Sequence, residues 1–170
     1  MRPTARPART RVRATPARVA RVGLISDTHG KLRQEALAAL RGCDTILHAG
    51  DVGRPEVLDG LRQLAARVIA VRGNVDGTWA AGLPEVTEVD IAGRRILLLH
   101  DLKQLSDEPR AGIDVVVSGH SHQPRIDRRG GVLYVNPGSA GPRRFRLPVA
   151  VARLEMSPTR LEAVIVELPA

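Results

Sequence analysis

The chain has 170 residues, 43% of them apolar, enough for one compact domain with or without a tail. No run of about 18 apolar residues occurs, so no membrane span is expected. The formal charge of +8 is unevenly placed, and the single cysteine, Cys43, excludes an internal disulfide framework and a CxxC metal site.

Residues 1–21 hold seven arginines and no acid, whereas the rest of the chain sets 19 basic residues against 18 acidic ones. Residues 1–19 are predicted to be a disordered basic tail, because a stretch rich in Arg, Pro, Ala and Thr buries little. The tail has no apolar h-region of a secretory signal. It is Arg-rich and acid-poor like a transit peptide, yet it has no serine, and its prolines break an amphipathic helix. Counterion release would let it hold nucleic acid or another acidic surface. A dispensable extension is the simpler reading, since 24 Arg against 2 Lys resembles a codon bias. A cytoplasmic location is expected, and residues 20–170 are expected to form the folded domain.

Within that domain "VARVGLIS" (19–26) predicts a first strand ending at Asp27, and "KLRQEALAALRG" (31–42) a helix with apolar residues at 32, 36, 37 and 40. Cys43 follows it as a small buried hydrophobe. "DTILHAGD" (44–51) predicts a second strand, "PEVLDGLRQLAA" (55–66) a second helix with Pro55 in its first turn, and "RVIAVRGN" (67–74) a third strand. This alternation implies a parallel sheet with right-handed crossovers. "EVTEVDI" and "RRILLLH" flank Ala92-Gly93 as a hairpin, and 101–112 is a loop or short irregular helix. "IDVVVSG", "GVLYVNPGS", "PVAVARLEM" and "RLEAVIVEL" are further strands, the last two joined across "SPT". The second half is therefore expected to build a second, more antiparallel sheet, with the two sheets face to face and helices outside.

In parallel α/β sheets ligands bind beyond the carboxyl ends of strands. Those ends carry Asp27 and His29 in "SDTHG", Asp51 in "AGDV", Asn74 and Asp76 in "RGNVD", His100 in "LLLHD", and His120 and His122 in "SGHSH". In an extended segment residues i and i+2 face the same side, so each D-x-H or H-x-H pair is expected to grip one or two cations from one direction. Gly30, Gly50, Gly73 and Gly119 permit tight turns or close backbone approach. Imidazoles, carboxylates and one amide oxygen suit a divalent transition metal better than calcium. Seven such groups exceed what one ion with an open position needs, and two ions sharing a bridging carboxylate use them all. His48, inside its strand three residues before Asp51, is either a buried strand histidine or a hydrogen-bonding support for a ligand.

The ordered set D-x-H, GD, GN, H, G-H-x-H resembles the calcineurin-like metallophosphoesterase superfamily. "LISDTHG", "HAGD", "VRGNVD", "SGHSHQP" and "NPGS" are similar to its small prokaryotic phosphodiesterase branch over roughly residues 20–168. The resemblance implies an α/β fold, a four-layer αββα sandwich of two mixed sheets flanked by helices. It implies two divalent metal ions, Mn²⁺ foremost, with Fe, Zn or Ni used by some members. One metal would take Asp27, His29, Asp51 and His122, and the other Asp51, Asn74, His100 and His120, with Asp51 as the bridge. The activity implied is a phosphoesterase, expected to act on phosphodiesters, in which a metal-bridging hydroxide attacks phosphorus in line with the leaving oxygen. Two cations ~3.5–4 Å apart clamp the phosphoryl oxygens. Asn74 would also bind substrate, giving its amide NH₂ to a phosphate oxygen.

Two positions depart from the family pattern. Many members carry His after the GN asparagine as a leaving-group acid; here Val75 stands there, which leaves Asp76 as the candidate, against a simpler capping role. Many follow the fifth motif's His with Gly; here Asp101 follows His100, where it would narrow the site or bond a ligand. Gly138 and Ser139 are expected to bring backbone N–H groups near the site. Arg143 and Arg144 are either phosphate contacts or solvated arginines. The alternatives to an enzyme are a non-catalytic metal-binding scaffold of the same fold, as in a eukaryotic sorting-complex subunit of this branch, and a nuclease assisted by the basic tail. The folded part has one Trp, one Tyr and one Phe, a poor stacking platform for nucleic acid. Trp79 is a candidate pocket wall or core residue.

Overall fold

The computed structural model describes residues 18–105 and 108–169. The basic tail expected over 1–19 lies outside these except for its last two residues, of which Arg18 pairs with Asp44 at 3.0 Å. The first sheet is built on β1 (Ala20–Ile25), β2 (Thr45–His48) and β3 (Arg67–Ala70), all parallel. Two helices, α1 (Gln34–Leu40) and α2 (Pro55–Arg62), make the crossovers. They bury Ala36, Leu40, Val57, Leu58 and Leu61 against Ile25, Ile46 and Val151 on one face of the sheet. Cys43 is buried in the same cluster, as expected. The carbonyls at the end of α1 are met by Arg153, whose guanidinium donates to Ala39 O at 2.7 Å and Arg41 O at 3.2 Å.

The second sheet starts with the hairpin β4 (Val86–Ile91) and β5 (Arg94–Leu99), whose turn residues Ala92 and Gly93 both have positive φ, 49° and 76°. That handedness matches the twist of two paired strands. β6 (Val115–Val117) lies parallel to β5, β8 (Val132–Asn136) parallel to β6, and β7 (Arg125–Arg129) antiparallel to β8 at the edge. The inner faces of the sheets meet through Leu24, Leu47 and Leu154 on one side and Ile96, Leu98 and Val117 on the other. Each such side chain contributes about 1.5–3 kcal/mol on burial. The outer face of the second sheet, Leu97, Leu99 and Val116, is covered by the segment after β5, with Leu102, Leu105 and Ile113 packed on it and one 3-10 turn, Leu102–Gln104. The architecture is thus two mixed sheets in an α/β sandwich, with α-helices over the first sheet and a thinner cover over the second.

Two sequence expectations change. β9 (Ala150–Ser157) and β10 (Arg160–Glu167) do form a hairpin, but they extend the first sheet, not the second: the order is β10-β9-β1-β2-β3, and β9 runs antiparallel to β1. The apolar inner face of β9, Ala152, Leu154 and Met156, completes the same core that β1 and β2 begin. Strand β7 was not foreseen, because "RIDRR" is mostly charged, as an exposed edge strand is. No described helix is long and apolar enough to cross a membrane.

Candidate metal centre

The loops after β1, β2, β5 and β6 and the segment after β3 converge between the two sheets' ends. Their backbone is unusual. Among the described residues seven non-glycine residues have positive φ, and five of them are Asp27, His29, Asp51, His120 and His122. The D-x-H and H-x-H pairs are therefore not extended, contrary to the expectation from their spacing: Asp27, His29, His120 and His122 all sit in the left-handed region. Such conformations are costly for residues with a Cβ and persist where surrounding contacts enforce them. Two glycines make room. A Cβ on Gly73 would collide with the Asp51 carboxylate. One on Gly119 would collide with the Ser26 hydroxyl and come within 2.7 Å of Asp27 Oδ2.

Asp27 is fully buried. Its Oδ2 accepts from Ser26 Oγ at 2.7 Å and from the His120 N–H at 3.1 Å, but its Oδ1 has no hydrogen-bond partner. An ionised carboxylate oxygen left bare in the interior is strongly unfavourable unless a cation meets it. Around Oδ1 stand the Nε2 atoms of His122 at 3.2 Å, His29 at 3.9 Å and His100 at 4.0 Å. Asp51 divides its oxygens similarly: Oδ1 accepts from the Val75 N–H at 3.0 Å, while Oδ2 lies 3.3 Å from His100 Nε2 and 3.9 Å from His29 Nε2. His29 and His122 bring their Nε2 atoms within 3.5 Å of each other.

The His100 ring is oriented by its own backbone neighbours. Nδ1–H donates to Ala49 O at 2.7 Å, so Nε2 is the atom turned to the centre, 3.0 Å from Asn74 Oδ1. A neutral Nε2 offers a lone pair to two oxygen acceptors, so a positive species belongs between them. Two groups converge closely enough to hold a divalent ion, Asp27–His29–His122 and Asp27–Asp51–His100. The donor set fits a transition metal.

Protonation tendencies follow from the same geometry. Burial pushes the His29 pKa down, helped by the positive charge of Arg144 and by His122, with Asp51 and Asp27 opposing. Burial alone would raise Asp51, but the His100 hydrogen bond, the Val75 N–H and the nearby histidines outweigh it and hold the carboxyl below its usual range. Burial would lower His100, but the Asp51 and Ala49 hydrogen bonds and the charge of Asp27 lift it above an ordinary histidine.

His48 is buried behind the centre. The Gly50 N–H donates to its Nδ1 at 3.2 Å, which leaves Nε2–H to donate to Thr28 Oγ1 at 2.9 Å; that hydroxyl in turn donates to Val52 O at 2.9 Å. Thr28 lies between Asp27 and His29, and Val52 follows Asp51. Of the two readings of His48, the geometry favours the hydrogen-bonding support.

The remaining predicted residues fall around this centre. Asp76, the candidate acid, has its carboxylate engaged by three backbone amides: Gly53 at 2.8 Å, Gly73 at 2.9 Å and Val52 at 3.1 Å. It ties the loops after β2 and β3; it does not cap the segment that follows, whose 3-10 turn Thr78–Ala80 starts at Gly77 with no side-chain cap. His120 stands at the rim, its Nε2 3.7 Å from Asp101 Oδ2 and its ring edge-on to His100 at 5.2 Å. Asp101 also accepts from the Lys103 N–H at 3.0 Å. The Gly138 N–H is not turned to the site but donates to Asn136 Oδ1 at 2.9 Å, and Ser139 Oγ supports the backbone by donating to Asp27 O at 3.0 Å. Trp79 lies in a 3-10 turn (Thr78–Ala80), about a third exposed, away from the residues that line the mouth. Sequence reasoning missed Ser26 and Thr28. Their signal was their place inside "SDTH", where a hydroxyl borders each side of Asp27.

The chain is 33% identical over 160 residues to a probable metallophosphoesterase of Methanothermobacter thermautotrophicus, covering 85% of this chain and 91% of that one. It is 30% identical over 144 residues to the phosphodiesterase YfcE of Escherichia coli, covering 67% and 76%. Among solved folds, Vps29 of Chaetomium thermophilum superposes with a TM-score of 0.72 at 19% identity, over 88% of this chain and all of that one. An archaeal phosphodiesterase superposes with a TM-score of 0.70 at 22% identity, over 86% and 99%. The family model of the calcineurin-like phosphoesterase superfamily domain matches residues 21–159, from β1 through β9 and every loop that feeds the centre. The matched domain, the metallophosphoesterase and phosphodiesterase relatives and the buried Asp/His cluster together support a metal-dependent phosphoesterase, and the chain belongs to the calcineurin-like phosphoesterase superfamily.

Proposed function

We propose that the protein is a phosphodiesterase whose hydrolysis depends on two divalent cations, Mn²⁺ foremost, with Fe, Zn or Ni as alternatives. The observation that carries this reading is the buried, unpartnered Asp27 Oδ1 facing the Nε2 atoms of three histidines. Asp27, His29, Asp51 and His122 would hold one ion, and Asp51, Asn74, His100 and His120 the other. The placement of Asp51 Oδ2 between His29 and His100 supports its bridging role. When bound, such ions supply an acidified water and neutralise charge on the phosphoryl oxygens.

The chain's own groups do the rest. Val75 N–H and the His100 ring fix the rotation of Asp51, and Ala49 O fixes that of His100. Asn74 turns Oδ1 to His100, which leaves its NH₂ for a phosphoryl oxygen. Val75 cannot transfer a proton, and the Asp76 carboxylate is held by amides, so the leaving oxygen takes its proton from solvent. Phosphodiesters with stable leaving groups suit such a site. Diester specificity is supported by the similarity to the phosphodiesterase YfcE of Escherichia coli.

The test is metal analysis of the purified full chain together with hydrolysis of bis-p-nitrophenyl phosphate. Two equivalents of metal, Mn²⁺-dependent turnover that a chelator abolishes, and an inactive Asp51→Asn variant are expected. A fully loaded protein that leaves both phosphodiesters and phosphomonoesters intact would refute the reading.

A further inference from the structure

Of the seven non-glycine residues with positive φ among the described residues, five surround the metal centre and Ala92 makes the hairpin turn; the seventh is Phe145, at 55°. A bulky aromatic residue disfavours this conformation, and Phe145 gains no burial from it, being 92% exposed. Its position explains what it does gain. Phe145 lines a cavity of about 140 Å³ with Arg144, Leu147, His120, Ser121 and His122. Arg144 forms no ion pair among the described residues, and its positive charge reaches His29. A second cavity, of about 230 Å³, opens on the same His120 but has no apolar side chain in its lining, which includes Arg72, Asn74, Glu85, Asp101 and Gln104. There the arginine is already neutralised, Arg72 pairing with Glu85 at 2.9 Å. The mouth of the centre is thus two-sided and chemically unequal.

We propose that Arg144, Phe145 and Leu147 form a subsite for a planar aromatic ring carried on one ester arm of the phosphate substrate. This rests on the phosphoesterase reading and deepens it. The ring stacks on Phe145 and meets Leu147, Arg144 donates to a phosphoryl oxygen, and the polar cavity takes the other arm. The left-handed backbone holds the ring of Phe145 out from the surface, where it meets the ligand instead of the core.

Phenylphosphonate and methylphosphonate test this directly, because their C–P bonds survive hydrolysis and they differ only in the ring. Binding of each to the Mn²⁺-loaded full chain is measured by calorimetry. Phenylphosphonate is expected to bind about fivefold tighter than methylphosphonate, within the range an aromatic pair supplies. Phe145→Ala is expected to erase that preference, and Phe145→Tyr to retain it. In turnover of bis-p-nitrophenyl phosphate, Phe145→Ala raises KM more than it lowers kcat. Equal affinities in the unaltered protein, or a preference that survives Phe145→Ala, overturns the subsite. If the loaded protein hydrolyses phosphate esters while showing no preference, only the subsite fails; if it hydrolyses none, the enzymatic reading fails with it.

Discussion

Thr28 Oγ1 lies 2.9 Å from His48 Nε2 and 2.9 Å from Val52 O, so one hydroxyl joins the end of β1 to the loop after β2. Through this link His48, which is not itself one of the proposed metal ligands, ties together the loops that carry Asp27, His29 and Asp51. Replacing His48 by Leu fills the space but strands the Gly50 N–H and removes the bond that Thr28 Oγ1 accepts, leaving its bond to Val52 O. The expected cost is about 2–3 kcal/mol of stability for the unmet polar groups, with metal affinity weakened about tenfold to a hundredfold. Chemical denaturation and metal titration of the variant check both.

The same histidine makes stability depend on pH. Burial pushes the His48 pKa down to about 4, from an ordinary value of 6.5 when unfolded. Between these values the unfolded chain binds the proton and the folded chain does not, so stability present above pH 6.5 is lost as the pH falls toward 4. The shift corresponds to on the order of 3 kcal/mol. Denaturation midpoints measured from pH 7.5 to 4.5 should fall steadily, and the His48→Leu variant should show a shallower fall.

Asp27 predicts a conflict between stability and function. Without metal, its buried Oδ1 is an uncompensated acceptor. Asp27→Asn removes the charge while Oδ1 or its replacement stays in place, so the metal-free variant should melt at or above the temperature of the metal-free parent. Metal should no longer raise that temperature, and turnover should drop at least about a hundredfold, more than the loss of an outer support. A metal-free variant that melts well below its parent would show that Oδ1 is satisfied in another way.

Metal uptake should release protons. Asp51 and Ala49 raise the His100 pKa, so in the metal-free protein its Nε2 competes for a proton before it can coordinate. Affinity should therefore weaken as the pH falls through the range in which His100 takes up its proton, above that of an ordinary histidine. Calorimetry in buffers of different ionisation enthalpy reports the protons displaced.

Asp76 distinguishes a support from an acid. Asp76→Asn keeps an acceptor for some of the Val52, Gly53 and Gly73 amides, so it should destabilise by about 1–2 kcal/mol. The shape of its pH–rate profile should match that of the parent. Loss of the alkaline limb of that profile would instead assign it the proton transfer.

Much of the centre was legible because its ligands occur in short motifs at the ends of apolar runs. "SDTHG", "HAGD" and "SGHSH" name their chemistry without reference to distant residues. The backbone that presents them was not legible: spacing suggested extended pairs, whereas Asp27, His29, His120 and His122 turn in the left-handed region under contacts from other loops. The pairing of β9 with β1 was hidden for a related reason. Alternation in "PVAVARLEM" shows a strand with a buried face but not which sheet it joins, and that choice depends on contacts more than a hundred residues apart in sequence, such as Val22 with Leu154. Of the three amides on Asp76 only Gly73 is local; Val52 and Gly53 come from the loop after β2, so no local pattern announces them.

Because β9 lies between β1 and β10, the strand that leads into Asp27 keeps one edge open until residues near Met156 are available to pair with Ala20. A growing polypeptide on the ribosome therefore carries the loop with Asp27 and His29 on an unfinished sheet until β9 has emerged. Capture of a divalent ion is expected only after β9 pairs, and fragments ending before β9 should fail to retain one.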